Sequence, residues 1–134
     1  MPLRRTLATF ALLAAAAIPL TACAPPDRTL DDGTHVIVAE EEATLQMLAE
    51  VEGKLMDVDG CVGIGNVFAG GSYPVIFPAG TSVEGDLIRI PGFDEPFTLG
   101  DAISGGGGYV PMSEERRADV PCPSDDIIVF NPGD

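Results

Sequence analysis

The stretch Glu50–Ile64, EVEGKLMDVDGCVGI, decides how the rest of the chain is read. Just upstream, Ala43, Met47, Leu48 and Val51 fit one face of a helix, and the residue types around them favour helix. Ala43, Leu45, Met47, Ala49 and Val51 also alternate, as a half-buried strand requires. Two features tip the balance to strand. Gly53 would interrupt a long helix, and Asp59-Gly60 is among the strongest short hairpin signals. Strands are therefore expected at about 47–57 and 61–67, with a helical turn open to residues 40–46.

Outward from this hairpin the chain is punctuated by turns. Ala69–Ser72 (AGGS) leads into a strand at Tyr73–Phe77, and Pro78–Thr81 (PAGT) closes it. Asp86–Ile90 alternates, with Leu87 and Arg89 on one face and Ile88 and Ile90 on the other. A turn at Pro91–Pro96 leads to a short strand at Phe97–Leu99, and Ser113 is placed to cap one helical turn over Ser113–Ala118. Asp125–Phe130 is a last apolar strand, stopped by Asn131-Pro132-Gly133. His35–Ala39 is either a first short strand or the end of a tether. Five to seven short strands at this spacing imply an all-β domain, a small barrel of OB-like topology.

The first residues address the chain to a compartment. Arg4 and Arg5 precede Leu7–Leu20, a 14-residue stretch without a charge. A bilayer core of about 30 Å needs ~20 helical residues, so this segment is too short to span it and fits the hydrophobic region of a signal peptide. Leu20-Thr21-Ala22-Cys23 resembles the bacterial lipobox. That resemblance implies that Cys23 receives a diacylglyceryl group and becomes the mature N-terminus. The adjacent arginines fit a twin-arginine signal poorly, since Leu3 and Thr6 do not complete it, so Sec export is expected. The expected division is a signal peptide at 1–22, lipidated Cys23 with a flexible tether at 23–42, and a β domain at 43–134. Ala24–Thr34 (APPDRTLDDGT) is rich in proline and aspartate, without hydrophobic period.

Removing residues 1–22 takes away Arg4 and Arg5 and no acid, leaving five cations against 21 acids, a net charge of −16. Such a surface repels phosphate backbones and anionic headgroups. Nucleic acid is therefore excluded as a partner, and the membrane is expected to be met through the lipid anchor alone. The mature chain makes one domain, expected to be a monomer. Tryptophan is absent and aromatics are few, so its core is thin.

Residue types suited to catalysis are scarce. The single histidine, His35, lies at the end of the expected tether, away from any nucleophile. One histidine and two cysteines do not complete a zinc shell, and Asp57–Cys61 (DVDGC) lacks the remaining ligands of a calcium loop. No catalytic residue, metal or cofactor is expected. The acid pairs Asp31-Asp32, Asp57 with Asp59, Asp94-Glu95 and Asp125-Asp126 are what 21 acids produce by chance. The unusual internal feature is Ile103–Val110 (ISGGGGYV). Asp101, Ser104, Gly105, Gly106, Gly107, Gly108 and Tyr109 form a candidate binding loop there. No lysine follows, and Pro111 interrupts any helix, so a phosphate cradle is disfavoured. The simpler reading is that the glycines permit positive φ, which at least one of Gly106 and Gly107 is expected to need, and close chain approach at a barrel corner or bulge.

From VEGKLMDVDGCVGI through YPVIFPAGTSV and LGDAISGGGGYV to PCPSDDIIVFNP, the chain resembles small uncharacterised envelope lipoproteins of Gram-positive bacteria. The resemblance spans most of residues 50–132. It implies a secreted β domain with a paired cysteine, and no activity can be carried over from it. With Cys23 acylated, Cys61 and Cys122 are the two thiols left in an oxidising compartment, and a disulfide between them is expected over free or redox-active thiols.

Two functions fit. The first is a non-catalytic interaction module on the extracytoplasmic face of the cell membrane, meeting an envelope protein or polymer through an exposed apolar patch near Gly105–Tyr109. The second is a small-ligand binder or acid-dependent hydrolase, with Asp101, Tyr109 and another carboxylate converging on a pocket.

Overall fold

Asp59 and Gly60 both carry positive φ, 52° and 96°, and the Asp57 carboxylate accepts a 2.7 Å hydrogen bond from the Gly60 amide. This is the two-residue hairpin turn, and the fold grows from it. The computed structural model describes residues 28–42, 47–67 and 70–132. Along them run β1 (Ile37–Val38), β2 (Ala49–Val58), β3 (Cys61–Val67), β4 (Gly71–Phe77), β5 (Ser82–Glu84) and β6 (Leu87–Arg89). The chain continues through β7 (Ala102–Pro111), the helix α1 (Glu114–Asp119) and β8 (Asp126–Asn131).

Five strands close into a barrel in the order β4-β3-β2-β7-β8, and β8 returns to β4 through the parallel pairs Val75↔Ile128 and Ile76↔Val129. The other barrel pairings are antiparallel. Numbered in chain order, the barrel strands close first, second, third, fifth, fourth, first, which is the OB-like arrangement. β1 is an extra strand, parallel to β4, and His35 just before it bridges to Cys61.

The alternation read around the hairpin holds. β2 runs from Ala49 to Val58, with Val51 and Leu55 turned into the core. Its first half pairs with β7 (Ala49–Lys54) and its second half with β3 (Lys54–Val58). Gly53 sits at the changeover. A Cβ there would run into the Gly65 carbonyl and come within 2.5 Å of Ile64 Cγ2, so only glycine lets the strand coil this tightly. Helix propensity in this segment loses to the turn and to the packing of Val51 and Leu55. Glu40–Glu42 are not helical, and residues 43–46 of the expected helical turn lie outside the described residues.

The barrel interior is filled by Val51, Leu55, Val62, Ile64, Val75, Phe77, Ile103, Ile128 and Phe130. One end is covered by the separate β5–β6 hairpin and the chain that follows it. Ile88 and Ile90 reach the core, as their alternation requires, and Phe93 stacks on Phe130 at 6.3 Å between centroids and meets Phe97 edge-on at 5.0 Å. The short strand expected at Phe97–Leu99 is a single bridge, Phe97 to Ile88. Outside the barrel wall lies a second cluster, Cys61, Met112, Val120, Cys122 and Ile127, against Ile37, Ile76 and Val110. The Cys61–Cys122 disulfide clamps it, with Cα atoms 5.8 Å apart, a normal spacing for the bond. α1 starts where Ser113 caps it, the hydroxyl accepting from the Arg116 amide at 3.2 Å.

The expected tether is shorter than its composition suggests. Leu30 and Val36 are buried in the main core, Thr29 bridges to His35, and the His35 amide donates to the Gly60 carbonyl at 2.9 Å. Residues 28–39 thus belong to the folded unit. The proline- and aspartate-rich composition misleads because two apolar residues suffice to dock this segment. Cys23 and the segment before it lie outside the described residues. Among the described residues, no helix is long and apolar enough to cross a membrane.

Candidate functional site

The glycine run is not a loop. Gly105–Gly108 form the middle of β7, paired to β2 on one side and to β8 on the other. None of the four has positive φ, so the conformational reason expected for them does not apply. Close approach does. Gly105 and Gly107 face inward, where a Cβ on Gly105 would come within 2.6 Å of the Phe130 ring and one on Gly107 would meet Val51 at 3.0 Å and collide with the Val129 carbonyl. The glycines leave the room that Phe130 and Val51 occupy.

The other candidates are dispersed. Asp101 precedes β7, its carboxylate accepting from the Thr98 amide at 2.8 Å and from the Thr98 hydroxyl at 3.2 Å, so it pins a turn. Tyr109 lies eight residues further along β7, about 26 Å away at ~3.3 Å per residue. Ser104 lies between them, exposed and opposite Glu52. Asp101 and Tyr109 therefore do not converge. His35 is held by backbone hydrogen bonds to Gly60 and Val62. Among the described residues, no group of three His, Cys, Asp or Glu side chains is arranged to hold a metal ion.

What gathers at the Tyr109 end of β7 is apolar. Tyr73 of β4 and Tyr109 meet edge-to-face with centroids 4.8 Å apart, and they are the two tyrosines of the whole chain. Tyr109 is 36% exposed, and desolvation, helped by Tyr73 and Asp126, raises its hydroxyl above the ordinary tyrosine range. The Met47 side chain lies over Gly108, its sulfur 3.0 Å from where a Cβ would stand. The Asn131 amide holds the Met47 carbonyl at 3.2 Å and so fixes where β2 begins. Leu48, next to it, is 87% exposed. Met47, Leu48 and Tyr109 are thus exposed, with Met47 over Gly108 and Tyr109 against Tyr73. Sequence reasoning reached Tyr109 alone. Met47 reads as a core residue in either periodicity, Leu48 in the helical one alone, and Tyr73 as an ordinary strand residue.

A pocket of about 250 Å³ opens elsewhere, between Ala39, Glu41, Glu42, Pro78, Ala79, Pro91 and Pro132, over a floor of Ile76, Phe77, Val129, Phe130 and Asn131. Its walls are mostly proline and alanine, and none of the expected site residues lines it. Comparison of the chain with protein-family models, with curated proteins and with solved structures gives no match.

Proposed function

We propose that the protein is a non-catalytic interaction module of the cell envelope, anchored by lipid on Cys23 to the extracytoplasmic face of the membrane and docking an envelope partner through the exposed side chains of Met47, Leu48 and Tyr109. The observation that carries the docking role is the exposure of these three side chains. Leu48 at 87% exposure, next in the chain to a half-open methionine, is apolar surface available to a partner. Tyrosine and methionine are also enriched where proteins meet. The anchor reading rests on the lipobox and on the short uncharged segment before it. The competing reading, a ligand site or hydrolase at the glycine run, loses the convergence it needed. Gly106 and Gly107 are engaged on both edges of β7, Gly105 and Gly108 on one edge each, and Asp101 and Tyr109 stand at opposite ends of that strand.

The test has two arms. Cys23→Ala should move the protein from the membrane fraction to a released or unprocessed form, and a processed variant still in the membrane fraction overturns the anchor. Leu48→Ser with Tyr109→Ala should leave the fold intact while removing crosslinks between the anchored protein and its envelope partner. Crosslinks that persist overturn the docking surface.

A further inference from the structure

We propose that the pocket between the ends of β4 and β8 binds a small hydrophobic amine, a compact apolar body carrying an ammonium group. The site is separate from the side chains assigned to docking and does not depend on them. It exists because the parallel seam of the barrel stops. Val75↔Ile128 and Ile76↔Val129 are the seam's pairs, and Pro78 and Pro132 then follow β4 and β8 directly. Proline has no amide hydrogen with which to continue a ladder. The strands part, and a space of about 250 Å³ opens over Phe77 and Phe130.

The walls are fixed by the fold. Pro78–Thr81 is a turn closed by the Thr81 amide and hydroxyl, which donate to the Pro78 carbonyl at 3.2 and 2.7 Å. Gly80 and Gly92 hold positive φ, 89° and 93°, and each seats a proline. A Cβ on Gly80 would stand 3.2 Å from the Pro91 ring, and one on Gly92 would stand 3.0 Å from Pro132. Both of these proline walls are therefore packed against a residue with no side chain to displace them. A pocket whose shape is set beforehand loses little freedom when it is filled.

The lining selects a cation. Glu41 and Glu42 line the pocket and are exposed, and among the described residues no lysine, arginine or histidine lines it. Its prolines offer no N–H, the Ala39 amide donates to the Phe77 carbonyl at 2.9 Å, and the Asn131 side-chain amide donates to the Met47 carbonyl at 3.2 Å. An anion would meet two carboxylates. An ammonium group finds acceptors there, while the proline, alanine, isoleucine and valine side chains cover its apolar body. Sites for drug-sized ligands run from about 300 Å³ upward, so this one suits a single ring or a short branched chain.

The probe is phenethylammonium, with neutral phenethyl alcohol, the anion 3-phenylpropanoate and the peptide Phe-Gly-Gly as comparators. Each would be titrated into the full exported protein while its backbone amide resonances are followed by NMR. Expected is saturable binding of phenethylammonium that shifts Ala39, Ala79 and Val129 and weakens as salt rises. The alcohol should bind more weakly and the carboxylate not at all. Glu41→Gln with Glu42→Gln should weaken the amine roughly fivefold, in the range of exposed charge pairs, and leave the alcohol unchanged. Glu50→Gln with Glu52→Gln, the same change of charge on β2, should leave both unchanged. Ala79→Leu should fill the pocket and abolish binding of the amine and the alcohol alike. Equal weakening by the β2 pair would reduce the effect to net charge and overturn the proposal. So would carboxylate binding as tight as the amine's, undiminished binding in Ala79→Leu, or no saturable shift at the three reporting residues. Tighter binding of Phe-Gly-Gly than of phenethylammonium would overturn the small-molecule assignment, because the chain beyond the first residue would then be adding contacts.

Discussion

At the scale of single residues, the junction between the N-terminal segment and the hairpin is held by two aspartates and a threonine. Asp32 accepts from the Thr34 amide at 2.8 Å, and the buried Thr34 hydroxyl donates to Asp57 at 3.1 Å. Asp57 in turn holds the Gly60 amide. Hydrogen bonds from Thr34, side chain first and amide second, lower the Asp32 carboxyl below its ordinary value. A carboxylate whose folded value is depressed adds stability that is fully present above its unfolded value, about 4, and is lost as the pH falls through the lower folded one. Asp32→Ala should therefore lower the melting temperature at neutral pH, and the gap to the parent protein should close as the pH falls below about 4. A gap that stays constant with pH would mean the carboxylate charge does not contribute.

At the scale of one element, β7 shows how glycine builds a packed strand. Gly106 and Gly107 are adjacent, yet a Cβ on each meets different surroundings. On Gly107 it collides with the Val129 carbonyl and crowds Val51, whereas on Gly106 the nearest atom is the Met47 carbonyl at 3.3 Å. Gly107→Ala should destabilise the domain by about 1–3 kcal/mol, the usual range for overpacking a core. Gly106→Ala should change it by less than about 1 kcal/mol, since alanine is at ease in its negative-φ backbone. Urea unfolding of the two variants decides, and equal effects would mean that the inward and outward faces of β7 are misassigned.

At the scale of the whole molecule, the disulfide clamps the outer hydrophobic cluster and ties the start of β3 to the segment before β8. Cys61 begins β3, Cys122 lies in the segment between α1 and β8, and 61 residues separate them. Closing a loop of that length contributes ~4 kcal/mol by chain entropy, comparable with the whole net stability of a small domain. Both cysteines are buried, at 0% and 5% exposure, so the folded protein should show no alkylatable thiol at these positions. Reduction after unfolding, or Cys61→Ala with Cys122→Ala, should lower the melting temperature by roughly 15 °C or more. An unchanged melting temperature would show that the outer cluster holds without its clamp.

What the sequence determined by itself is local. Asp59-Gly60 demanded the turn, the alternation of Val51 and Leu55 set the β2 face, and the isoleucines of Ile88–Ile90 and Ile127–Ile128 marked strands that must be buried. Such signals are legible because they depend on φ or on side-chain period within a few residues. The all-β class and the small OB-like barrel follow from them, whereas the Cys61–Cys122 pairing is expected from the lipobox and the cysteine count. Tertiary structure decided the rest, since it turns on which strand lies beside which. Leu30 and Val36 sit in a stretch that reads as tether, and only a barrel seam waiting for them makes them core. Four glycines read as a loop until β2 and β8 are seen pressing on β7 from both sides. Tyr73 reads as an ordinary strand residue, and only closure of the barrel brings it edge-to-face with Tyr109, 36 residues further along the chain.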